Sequence, residues 1–370
     1  MVTSRLNVFY RVRGDAGTIE ARALAIAVEQ SVEMPLSAIR DPAIVSDIVG
    51  QVAAIDDCGD GWFDVRIDLA AATIGDDAGQ LINMLFGNTS LQDDVILRDA
   101  ILPDDLLAWF GGPRLGLAGL RVRADAQMRA LTCSALKPQG LPAAELGELA
   151  YQLALGGLDF IKDDHGLANQ SYSPFADRIR ACAAATRKAA KATGRSTRYV
   201  PSLAGYYDEM ERQIGQARDE GLDTVMIAPM IAGVSNFHAL RRSNPDFAFL
   251  AHPTMTGAAR VSPVLFARLF RLFGADASIF PNYGGRFSYS AATCKAISQG
   301  LLGPWGALAP AVPTPAGGMT LQRVPELLDY YGRDVMLLIG GALLSAPLGA
   351  IAEETAGFVR AVAEHDYERS

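Results

Sequence analysis

Apolar and polar residues alternate along residues 5–12 (Arg-Leu-Asn-Val-Phe-Tyr-Arg-Val), the period of two that buries one face of a strand. From 18 to 32 the apolar positions Ala21, Leu24, Ala25 and Val28 recur at helical spacing, so a helix follows. Two more strand-like stretches, 48–54 and 62–69, flank the turn Asp57-Cys58-Gly59-Asp60-Gly61, and 78–86 reads as a second helix. This order predicts an antiparallel sheet with helices on one face, an N-terminal α+β domain over residues 1–125.

Beyond that point short apolar segments alternate with longer helix-capable ones. The segments are 131–136, 158–161, 199–203, 224–228, 247–251, 277–280, 306–311 and 335–339. Repeated strand–helix units on this scale predict a (β/α)8 barrel, of α/β class, over residues 126–370. An open doubly wound sheet is the rival, but it calls for Gly-x-Gly-x-x-Gly after its first strand, and none is present there. A barrel carries its chemistry at the carboxyl ends of its strands. Polar or glycine residues do follow most of the segments: Lys137-Pro138-Gln139, Lys162-Asp163-Asp164-His165, His252-Pro253-Thr254, Asn282 to Arg286, Gly317-Gly318 and Gly340-Gly341.

Those ends suggest roles. Glycine pairs after the seventh and eighth strands let backbone N–H groups approach a phosphate, so Gly317, Gly318, Gly340 and Gly341 are candidate phosphate ligands. Lys162, Asp164 and His165 are a candidate magnesium site. A lysine becomes an oxygen ligand only after reacting with carbon dioxide to give a carbamate; otherwise Lys162 pairs with a neighbouring Asp. Lys137 and His252 are candidate proton carriers, against the plainer reading of His252 as a hydrogen-bonded core histidine. The net charge of −8 argues against nucleic acid or an anionic membrane as a main partner. No secretory signal is visible, and a cytoplasmic location is expected. The four cysteines are scattered and expected to be reduced.

The run Gly156-Gly157-Leu158-Asp159-Phe160-Ile161-Lys162-Asp163-Asp164, followed by Asn169-Gln170 and by Phe175, Asp177 and Arg178, resembles the carbamylated-lysine motif of the RuBisCO large-chain family. Glu29, Gly87-Asn88, Lys137-Pro138, His252 and the two glycine pairs fall in the order of that family's other active-site segments. The resemblance implies a ferredoxin-like N-terminal domain before the barrel, Mg2+ and CO2 (as the Lys162 carbamate) as cofactors, and a homodimer or larger assembly. Within it, Glu29 and Asn88 would reach the partner's barrel mouth.

The departures point to a RuBisCO-like (form IV) member, not a carboxylase. Gln139 stands where the carboxylases have a second lysine, His165 where they have glutamate, and Pro253 where they have the arginine for a second phosphate. The mobile-loop lysine has no clear equivalent, Arg286 being the nearest basic residue; the roles of Arg286 and Gln139 stay open. A bisphosphate would lack a guanidinium at one end, so a keto-sugar monophosphate is the expected substrate. The resemblance allows metal-assisted enolisation ending in isomerisation, as in methylthioribulose phosphate salvage, or decarboxylation of a 3-oxo acid phosphate such as oxo-isoapionate phosphate. The base would be the Lys162 carbamate or Lys137. A catalytically dead phosphosugar-binding or regulatory homologue is the rival from another class.

Overall fold

The computed structural model describes residues 4–367. Strand β1 (Arg5–Arg13) lies centrally in an antiparallel sheet with β2 (Gln51–Asp57), β3 (Trp62–Ala70) and β4 (Val95–Ile101), in the order β2-β3-β1-β4. Every second residue of β1 is buried, as alternation requires. Helices α1 (Ile19–Glu29) and α3 (Ala78–Phe86) share a core with that face, while α2 (Pro42–Asp47) buries none of its residues. The sequence reading stopped before β4, which completes the β-α-β-β-α-β order of a ferredoxin-like domain. The first strand of the 48–54 stretch begins three residues later than expected, at Gln51.

Two short helices, α4 (Asp104–Phe110) and α5 (Gly116–Ala124), lead to the barrel. Its strands are β5 (Leu131–Leu136), β6 (Phe160–Asp163), β7 (Arg198–Val200), β8 (Thr224–Ile227), β9 (Ala248–Ala251), β10 (Ala277–Pro281), β11 (Val312–Ala316) and β12 (Met336–Leu338). Between and after them run α6 (Ala143–Leu155), α7 (Phe175–Thr193), α8 (Tyr207–Asp219), α9 (Pro229–Ala232), α10 (Val234–Ser243), α11 (Pro263–Leu272), α12 (Ala291–Leu302), α13 (Val324–Tyr331), α14 (Gly341–Leu344) and α15 (Ile351–Ala363). All strand pairs are parallel, in the orders β12-β5-β6-β7 and β8-β9-β10-β11. A bridge from Ser202 to Met226 joins β7 to β8, and β11 lies beside β12, closing the ring.

Two expected strand positions need correction. The seventh strand is not 306–311 but Val312–Ala316, whose two prolines hide it from a propensity reading. The second begins at Phe160 and contains Lys162 and Asp163, so part of the charged run lies inside the sheet.

Inward-facing residues form one cluster, among them Leu131, Cys133, Ala135, Phe160, Val200, Met226, Leu250, Ile279 and Leu338. Leu120 and Ala124 of α5 join it. The described residues include no helix long and apolar enough to cross a membrane. The free edge of β4 is paired with the segment after β9: Leu97 N donates to Arg260 O, and Ser262 N to Leu97 O, each at 2.9 Å. This pairing ties the N-terminal sheet to a loop that also lines the barrel mouth.

Candidate active site

The side-chain period of two carries the inward row past the end of each strand. Leu131, Cys133 and Ala135 continue to Lys137; Phe160 continues to Lys162 and Asp164; Ala248 and Leu250 continue to His252; Met336 and Leu338 continue to Gly340. The barrel's own geometry therefore converges these residues on one cavity of about 860 Å3. His165, Arg286, Gly317, Gly318 and Gly341 line it too. Gln139 is exposed and lies against Gly166, and Glu29 and Asn88 do not line the cavity; they are bonded to each other at 2.8 Å in a separate depression beside the exposed Leu91.

Asp163 points the other way. It is wholly buried, accepts from Arg178 Nε (3.0 Å), Tyr199 Oη (2.7 Å) and Ser202 N (3.0 Å), and takes no part in the cavity. Arg178 also donates to the carbonyls of Ser173 and Ala168. The Asp163–Arg178 pair thus pins the loop between β6 and α7 and fixes the direction in which Asp164 and His165 leave the strand.

Lys162 is 3% exposed, and its Nζ donates to Asp163 O at 2.9 Å. Burial pulls the amine below its ordinary range, and the nearby Lys137 charge adds to this while Cys133 and Asp164 oppose it. Asp164 accepts from Lys137 Nζ at 2.7 Å and lies 3.4 Å from His165 Nδ1. Burial would raise its carboxyl, but the contacts with His165 and Lys137 and the Lys162 charge hold it well below the usual carboxylate range. The rings of His165 and His252 stack 4.4 Å apart, 10° from parallel. Burial, with Lys162 nearby, pushes His252 down to about 2, so its ring is neutral. Thr254 N donates to His252 Nδ1 at 3.3 Å and Thr254 Oγ1 lies 2.5 Å from the same atom. Nδ1 is therefore the acceptor and Nε2 carries the hydrogen.

The glycine loops complete the wall. Gly317 and Gly318 have φ of 89° and 81°, a region that side chains rarely adopt. The sixth-strand loop lies directly on them: a Cβ at Gly285 would run into Gly317 O, and one at Gly317 would meet Phe287 at 3.2 Å. Outside the ladders and helices, the N–H groups of Gly317, Gly318 and Gly340 find no backbone acceptor among the described residues. Sequence reasoning placed Thr254 at a strand end without a role and missed Phe287 and Met255. The last sits at φ 70° on the fifth-strand loop, a backbone state that no residue pattern announces.

Among the described residues no three His, Cys, Asp or Glu side chains gather as a ready metal cage. Asp164 supplies one carboxylate and His165 an imidazole. A hard divalent cation would need further anionic oxygen, which a carbamate on Lys162 would supply; burial holds that amine below its ordinary range, which favours its unprotonated, nucleophilic form. With such a carbamate, Asp164 and His165, the residues present would fit a magnesium ion.

Residues 116–364 match the ribulose bisphosphate carboxylase large chain, catalytic domain. Over 364 residues the chain is 59% identical to a 5-methylthioribulose-1-phosphate isomerase from Rhodospirillum rubrum, covering 98% of this chain and 97% of that one. It is 31% identical over 325 residues to a 2,3-diketo-5-methylthiopentyl-1-phosphate enolase from Geobacillus thermodenitrificans, covering 82% and 78%. The crystal structure of a RuBisCO-like protein from Rhodopseudomonas palustris superposes with a TM-score of 0.91 at 53% identity, covering 97% and 98%.

Proposed function

Since this chain belongs to the RuBisCO large-chain family, as a RuBisCO-like enolising enzyme and not a carboxylase, we propose that it isomerises a keto-sugar monophosphate of the 5-methylthioribulose-1-phosphate kind. The observation that carries this reading is the asymmetry of the cavity. One wall offers glycine loops to a phosphate; the loop after His252 contributes Pro253, Thr254, Met255, Thr256 and Gly257 and brings no lysine or arginine of its own for a second one. Ile279, Phe280 and Leu338 add apolar surface, which suits a substrate whose far end carries no charge.

Lys162 as its carbamate, Asp164 and His165 would hold magnesium, which when bound polarises the substrate ketone and acidifies the adjacent carbon. The remaining tasks belong to the chain. Lys137 Nζ, steered by Asp164, stands at the mouth as a carrier of the proton that leaves and returns. His252 presents Nε2–H to the developing oxyanion, with Thr254 fixing the ring. The apolar residues exclude water from the enolate before it is reprotonated. We further propose a homodimer in which Glu29 and Asn88 complete the partner's site; that they do not line the cavity of their own chain supports this.

The test is exchange in deuterated water with magnesium, bicarbonate and 5-methylthioribulose 1-phosphate. Label should enter beside the ketone, product should form, and a chelator should stop both. Failure to exchange or to convert this substrate overturns the reading.

A further inference from the structure

Three lysine and arginine side chains line the cavity: Lys137, Lys162 and Arg286. Lys137 is bonded to Asp164 and Lys162 to the Asp163 carbonyl. The Arg286 guanidinium has no hydrogen bond or ion pair among the described residues and lies over the Phe287 ring, 5.4 Å from its centroid. Such a cation in the wall of a substrate cavity is available to a ligand.

The position of Arg286 says which ligand. Its backbone N donates to Gly317 O at 3.3 Å, and a Cβ on Gly318 would lie 3.3 Å from Arg286 Cγ. The side chain therefore leaves its loop directly over the glycine pair, beside N–H groups that, outside the ladders and helices, have no backbone acceptor among the described residues. Neutral amides supply directed but only partial positive charge, and a phosphate dianion held by them alone would be under-compensated. A guanidinium adds a full charge and a planar fork that fits two phosphate oxygens. A carboxylate ligand would leave most of the amide donors unused.

We propose that Arg286 is the phosphate-recognising side chain of this site, the residue that makes the enzyme selective for the phosphorylated keto-sugar. The proposal rests on the monophosphate reading given above. Arg286 is exposed, so replacing it disturbs no core.

Titrating wild-type protein, Arg286→Gln and Arg286→Lys with inorganic phosphate by calorimetry tests it, together with steady-state kinetics. Arg286→Gln should weaken phosphate binding and raise KM for the keto-sugar monophosphate by a factor on the order of ten to a hundred, with a smaller fall in kcat. Arg286→Lys should recover only part of this. Arg286→Gln should lose far more deuterium exchange with the phosphorylated keto-sugar than with the unphosphorylated one. Unchanged phosphate affinity overturns the proposal, as does an equal loss with both substrates. So does a loss traced by sedimentation to a changed oligomer, which would place Arg286 in a contact between subunits. The calorimetry needs no turnover. If wild type converts no keto-sugar while Arg286→Gln still loses phosphate, the reaction reading fails and the role of Arg286 stands.

Discussion

Thr254 fixes which nitrogen of His252 can act. Its N–H and hydroxyl both address Nδ1, leaving Nε2–H to face the cavity. Thr254→Val keeps the shape but removes the hydroxyl, and the ring can then rotate or change tautomer. We expect kcat to fall by about tenfold, as loss of one net hydrogen bond of roughly 1 kcal/mol or somewhat more implies, with KM nearly unchanged. A large rise in KM with unaltered kcat would instead make Thr254 a substrate contact. Lys162 and His252 were legible as candidates because charge and imidazole are conspicuous at strand ends. Thr254 was not, since a threonine two residues past a strand looks like ordinary loop.

Strand β6 shows how an element sorts four adjacent polar residues. With side chains alternating, Lys162 and Asp164 face the cavity while Asp163 faces α7 and meets Arg178, both fully buried. Asp163→Asn should leave a buried guanidinium uncompensated and cost about 3–5 kcal/mol, visible as a lower urea midpoint. A midpoint close to wild type would mean that the carbonyls of Ser173 and Ala168 suffice for Arg178. The charged run drew attention to this strand, but sequence could not divide its chemistry from its scaffolding until the first buried residue of β6 was known. Strand β11 was misplaced for a related reason. Its Pro313 and Pro315 read as loop, whereas burial within the closed sheet carries the strand regardless.

At the level of the whole molecule, the N-terminal domain has two attachments to explain. One is internal, through β4 and the loop after β9. The other is the proposed delivery of Glu29 and Asn88 to a partner subunit. Glu29→Gln and Lys162→Ala chains should each be inactive, and mixing them through a dissociation and reassociation step should restore turnover. Mixed dimers would hold one site with intact Glu29, Asn88 and Lys162. No recovery from demonstrably mixed dimers would place Glu29 outside the active site.

Sequence by itself determined the fold class, the two-part organisation and most of the cavity, because these follow from local periodicity and from residue types set at strand ends. Only tertiary structure decided the rest: that Asp163 turns outward, that Gln139 lies outside the cavity wall, that the rings of His165 and His252 stack, and that Arg286 lies over Gly318 with no ion pair among the described residues. Each depends on which distant segment comes to lie beside the residue. Closing the barrel sets those neighbours, and no local pattern encodes them.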